Sequence, residues 1–142
     1  MAFFQSPWTP FDTDSGGRKV LKLKSLKNQA VIADKCIVAE RFLDRLRGLI
    51  GRTLLASGEG MLFPRCNDVH MWFMRIPIDI VFLTELPGIE GSRKFKVCSV
   101  REQAMPWRLL PLRDGRAEHT LELPAGTVRA QSIHPGDELC IA

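Results

Sequence analysis

Four polar residues stand where the chain is otherwise most apolar: His70, Arg75, Asp79 and, further on, Glu122. The first three fall in the run G-M-L-F-P-R-C-N-D-V-H-M-W-F-M-R-I-P-I-D-I-V-F-L, residues 60–83, the densest apolar stretch in the sequence. A histidine beside a carboxylate can act as a general base or hold a metal. A His70–Asp79 acid–base pair would therefore make the protein a hydrolase or an isomerase. The same residues, gathered with Glu122 at one end of a barrel, would instead line a ligand site without catalysis. No complete catalytic constellation accompanies them, so binding without catalysis is the preferred expectation. Each residue also has a structural explanation. A histidine in an apolar strand is commonly a satisfied core or edge residue. Asp79 must either reach solvent at the end of the sheet or be paired, because an unpaired buried charge is costly, and Arg75, four residues back across Pro77, is the nearest candidate partner in sequence.

Other chemistries find less support. There is no serine nucleophile elbow and no phosphate-cradling glycine loop. Cys66 lies near His70, but a reactive thiol needs a depressed pKa that sequence does not reveal. The four cysteines, Cys36, Cys66, Cys98 and Cys140, form no close pair, which disfavours a zinc site and fits reduced thiols in a cytoplasmic protein. No metal and no cofactor are expected. Arg41, Arg45 and Arg52 could converge as an anion site, with Arg52 the candidate ligand-binding member, although arginines on a helix surface more often stay solvated. The net charge of +4 is a mild excess, so nucleic acid is not the expected partner. A small molecule or a protein is.

The elements that must position these residues are mostly strands. Residues 18–27 alternate, with Leu21 and Leu23 between Lys19, Lys22 and Lys24, giving a half-buried strand with a basic outer face. A turn at 27–29 leads into a second strand over 30–38. Residues 39–50 change period: Phe42, Leu43, Leu46, Leu49 and Ile50 recur at helical spacing opposite Glu40, Arg41, Asp44, Arg45 and Arg47, which predicts a helix. Met61–Phe63, Val69–Met74 and Ile78–Leu83 read as strands, with a turn at 64–68. Phe95–Val100 alternates again. Residues 101–116 read as a long irregular excursion, the rim of a site. In the strand 118–123, His119, Leu121 and Leu123 share one face, Thr120 and Glu122 the other. A short helix over 125–132 and a strand over 138–142 close the chain. Helices do not alternate with strands, so a mainly β, single-domain antiparallel barrel or sandwich is expected, preceded by an aromatic and proline-rich arm over residues 1–17.

The chain of 142 residues holds one domain with a real core. At 45% hydrophobic and 25% charged it has ordinary soluble composition. No segment is long and apolar enough to cross a bilayer, so no membrane partner is expected. The N-terminus lacks the features of a signal peptide, so export is not expected either.

Taken together, R-L-R-G-L-I-G-R (45–52), E-G-M-L-F (59–63), V-H-M-W-F-M-R-I-P-I-D-I-V-F-L (69–83), L-E-L-P-A-G (121–126) and I-H-P-G-D-E-L (133–139) resemble the DUF192 family of uncharacterised bacterial and archaeal proteins. The resemblance covers about residues 20–142, with the motifs in the family's order. It implies a compact β-barrel-like domain with few helices and supplies no established activity. Met71 and Trp72 depart from the smaller polar residue and the other aromatic expected there. Many relatives look exported, which sets this chain apart from them.

Overall fold

The computed structural model describes residues 12–13, 16–40, 55–71, 74–88 and 92–142. The expected helix at 39–50 lies almost wholly outside these residues, as do Arg52 and most of the N-terminal arm. Among the described residues the strands are β1 (Asp12–Thr13), β2 (Lys19–Ser25), β3 (Val31–Val38), β4 (Glu59–Phe63), β5 (Asp68–Val69), β6 (Ile78–Leu86), β7 (Lys94–Ala104), β8 (Leu112–Arg113), β9 (His119–Pro124) and β10 (Glu138–Ile141), with one short helix, α1 (Thr127–Ala130).

Seven of these strands close into a barrel. Their order is β2-β10-β7-β6-β9-β4-β3, and β3 pairs back onto β2. The β1 strand borders the first half of β2, whose second half pairs with β10. The ladder is antiparallel except at β3–β4, which run parallel. Parallel neighbours need a crossover of a dozen or more residues, and residues 39–58 supply it.

Two apolar clusters explain why the central strands show no simple alternation. The barrel interior draws side chains from all seven strands, among them Leu23, Cys36, Leu62, Leu83, Phe95, Leu121 and Leu139. The second cluster takes Met61 and Phe63 from β4, Ile78, Ile80 and Phe82 from β6 and Ala104 from the end of β7, and adds Met71, Met74, Leu112 and Ala117 from the segments outside the barrel strands. The outer wall of β4, β9 and β6 is thus roofed by the chain's own loops. Strands covered on both faces read as continuous apolar runs, and β6 is such a strand, buried from Ile78 to Leu83.

The roof itself departs from the expected strand at 69–74. Only Asp68 and Val69 are extended there, paired with β8 in a separate two-stranded sheet. From His70 to Pro77 the described chain is irregular. A wholly apolar run cannot announce whether it is strand or cover. The expected excursion at 101–116 is also shorter, because β7 continues to Ala104.

Candidate functional site

Asp79 is fully buried, and its partner is not Arg75. It pairs with Leu123, an interior residue, so its carboxylate points to the inside of the barrel near one end. One oxygen accepts the Gln103 backbone N–H at 2.8 Å and the other the Val128 backbone N–H at 2.8 Å. Val128 is the second residue of α1, where helical N–H groups lack internal partners. The helix begins after Gly126, whose φ of 91° a side chain would strain and which offers no capping side chain. Asp79 caps the helix from a distance and holds the irregular backbone at Gln103, whose φ is 50°.

The remaining residues do not gather around it. His70 and Arg75 are exposed on the roof segment. No hydrogen bond joins His70 to Asp79, whose two oxygens are both taken by amides, so the expected acid–base pair is not assembled. The expected Arg75–Asp79 ion pair fails for the same reason. Two backbone donors, 24 and 49 residues away, satisfy the buried charge in place of the neighbour in sequence.

Glu122 lies on the opposite face of the wall. Its register partners are Met61 on β4 and Ile80 on β6, both in the roofed cluster, and β9 is the middle strand of the three. The carboxyl therefore sits at the centre of the covered wall, 7% exposed. Among the described residues it has neither a hydrogen-bond nor an ion-pair partner. Burial without compensation pushes its pKa up to about 8, because desolvation disfavours the charged form. At neutral pH Glu122 is mainly a neutral carboxylic acid, able to donate a hydrogen bond. Among the described residues no side-chain nitrogen or oxygen is both sealed from solvent and unpartnered, so the carboxyl keeps a narrow contact with water. Two residues earlier, Thr120 pairs with Phe63 and Phe82 on the same face. Its hydroxyl donates to the Cys66 carbonyl at 2.7 Å, pinning the roof to the wall.

A second ionisable cluster went unforeseen in the sequence. His119 is 4% exposed and meets the Phe95 ring edge-on at 5.7 Å. Its Nδ1 accepts the Arg65 backbone N–H at 3.0 Å, which leaves Nε2 to carry the proton and donate to Glu85 at 3.3 Å. Burial lowers the His119 pKa, against the opposing pull of Glu85. Burial raises that of Glu85, but the bonds and charge of Arg93, at 2.6 and 2.9 Å, outweigh it and leave the carboxyl lowered. With both ring nitrogens engaged, His119 ties segments together and has no lone pair free for base chemistry. Its partner Glu85 lies 34 residues away, a separation that no local pattern signals.

Two surface features complete the description. A hollow of about 280 Å³ lies between β3, the Ser57–Gly58 turn and α1, lined by Val31, Asp34, Ser57, Thr127 and Gln131 among others; none of the residues singled out above borders it. On the roofed side, Met105, Trp107, Leu109 and Leu110 are 64%, 58%, 80% and 71% exposed. Among the described residues, no group of three or more histidine, cysteine or acidic side chains is placed to hold a metal ion, and no helix is long and apolar enough to cross a membrane. The four cysteines are free thiols, and burial pushes that of Cys36 up to about 12.

Fold and wall together define the class: a small closed β-barrel domain wrapped on one side by its own connections. The chain belongs to the DUF192 family, described as an uncharacterized ACR, whose model matches residues 23–141. A UPF0127 protein from Thermococcus sibiricus is 30% identical over 106 residues, 72% of this chain and 62% of that protein; the match thus spans less than two-thirds of the relative. Among solved structures, a protein of unknown function from Novosphingobium aromaticivorans shares the fold with a TM-score of 0.69 at 22% identity, covering 98% of this chain and 99% of that one. A Sinorhizobium meliloti protein solved as a candidate transcription regulator gives a TM-score of 0.65 at 27% identity, covering 84% and 89%.

Proposed function

We propose that this domain is a non-catalytic binding module, taking a small, largely apolar molecule against the roofed wall of β4, β9 and β6. One observation carries this: Glu122, a buried carboxyl at the centre of an apolar wall, without a hydrogen-bond or ion-pair partner among the described residues. A carboxyl desolvated in such a place and left to a narrow contact with water costs stability, and a ligand that accepts its hydrogen bond offsets that cost. Met61, its partner in register, and Met71 and Met74 in the same apolar cluster are adaptable side chains suited to an irregular guest. The ligand would bring an apolar body and one acceptor, such as a carbonyl oxygen. Catalysis by His70 and Asp79 is not part of the proposal. A regulatory role, of the kind suggested for the Sinorhizobium protein, fits binding better than chemistry, and the modest net charge argues for a small molecule over nucleic acid. The four free thiols suit a cytoplasmic setting.

Titration with Nile red, a neutral apolar dye bearing a carbonyl, tests this. Saturable binding is expected, weakening as pH rises through about 8 and losing that pH dependence in Glu122→Leu. Absent binding, or the same pH profile in the variant, refutes it.

A further inference from the structure

We propose that the loop 105–111 is a docking element for an anionic phospholipid surface, on which the domain rests without crossing it. This is independent of the ligand assigned to Glu122. The sequence of the loop is M-P-W-R-L-L-P. It leaves the body at Ala104 and returns at Leu112, both buried against the roofed wall, while every large apolar residue between them is more than half exposed. Single exposed hydrophobes are ordinary, but four within six residues are a patch that calls for an occupant.

Its form and its charge select that occupant. The apolar side chains sit on one short exposed loop between two anchored ends. A protein partner would need a matching groove, whereas a bilayer interface needs none. A tryptophan with leucines and an arginine is the composition that settles at headgroup depth, the indole amphipathic and the guanidinium reaching outward. The loop is held at its base, where the Trp107 backbone N–H donates to the Met71 carbonyl at 2.9 Å, and β5 pairs with β8 beside it. The two segments joined in this way, residues 64–77 and 101–116, hold six arginines, Arg65, Arg75, Arg101, Arg108, Arg113 and Arg116, against three acidic residues, Asp68, Glu102 and Asp114. The loop and the segment it is joined to thus carry three of the chain's four net positive charges, which gives this part of the molecule charge complementarity to anionic lipid. Neither signal suffices alone; an apolar insertion together with a basic surround makes stable attachment. The length needed to span a bilayer has no bearing on lying against one.

The test is co-sedimentation of the full chain with phosphatidylcholine vesicles, with and without phosphatidylglycerol, alongside the emission of Trp107 in a Trp8→Phe, Trp72→Phe background. Binding to the phosphatidylglycerol vesicles is expected, falling with salt, with a blue shift of Trp107. Leu109→Ser with Leu110→Ser should weaken it by at least about tenfold while the circular dichroism stays unchanged, since both side chains are already in water. No sedimentation with either vesicle, or equal sedimentation of the double variant, overturns the proposal. So does self-association in sedimentation velocity that the same substitutions abolish, with vesicles left unbound, because the occupant would then be a second copy of the chain.

Discussion

Replacing Glu122 by glutamine should change the pH dependence of stability in one direction only. The folded-state pKa is pushed up to about 8 from the ordinary 4.5 of a glutamate, so the native protein holds a proton that the unfolded chain releases. A folded pKa above the unfolded one gives stability that is complete below the lower value and lost as pH rises towards the higher. Each unit in between removes about 1.4 kcal/mol. His119 works the other way, its pKa lowered from 6.5, so its contribution rises with pH up to that point and is flat beyond it. Between pH 6.5 and 8 only Glu122 is in play among these groups, and the wild type should lose roughly 1.5 kcal/mol after allowing for its own ionisation near the end of the interval. Glutamine, similar in size to the neutral acid and unable to ionise, should not. Thermal melts of both proteins across this range read the difference. The two should be close at pH 6.5 and separate by roughly 5 °C in favour of the variant at pH 8. Parallel curves would show that Glu122 is neither desolvated nor alone, and the proposed ligand site would fall with that.

Asp79→Ala removes the acceptor of two amides and should cost about 2–5 kcal/mol in urea denaturation, with Asp79→Asn recovering part of it because one oxygen remains. Gly58→Ala places a methyl 2.4 Å from Asp34 Oδ1 at a φ of +86°, and should cost about 1–2 kcal/mol by the same assay. Thr120→Val keeps shape but leaves the Cys66 carbonyl without its donor; about 1 kcal/mol is expected, with faster amide exchange confined to the roof as the specific signature. Asp114 should show in acid: hydrogen bonds from Arg116 and Ser99, at 2.6–3.1 Å, hold its carboxyl well below the usual range. Its stabilisation is therefore present above about pH 4 and fades as pH falls, and Asp114→Asn should flatten the acid limb of a melting-temperature profile.

The strands were legible where one face meets water or where alternation survives. In β2 the lysines of 19–24 mark the outside, and in β9 the opposition of His119, Leu121 and Leu123 to Thr120 and Glu122 is the arrangement the structure adopts. Glu122 was therefore findable as a polar residue on a distinct face. What lay against that face was not, because the cover is a run from Val69 onward as apolar as any strand. Asp79 was findable as an anomaly, and its placement was misjudged. Its partners are main-chain amides, which every residue carries and no sequence pattern singles out. The segment 101–116 was legible as an irregular excursion from its prolines and turn signal, but the exposure of Met105, Trp107, Leu109 and Leu110 was not, because an apolar residue in a loop carries no mark of which side of it meets water.

The position of β10 has a consequence for how the molecule is made. Glu138–Ile141 slots between β2 and β7, strands laid down long before it. Until Ile141 has been synthesised, the hydrogen-bonded ring stands open along two free edges, each a template for unwanted pairing. Closure is consequently a late event, and a nascent chain halted just short of residue 138 would be a sheet with a slot in it, vulnerable to aggregation in a way the finished ring is not.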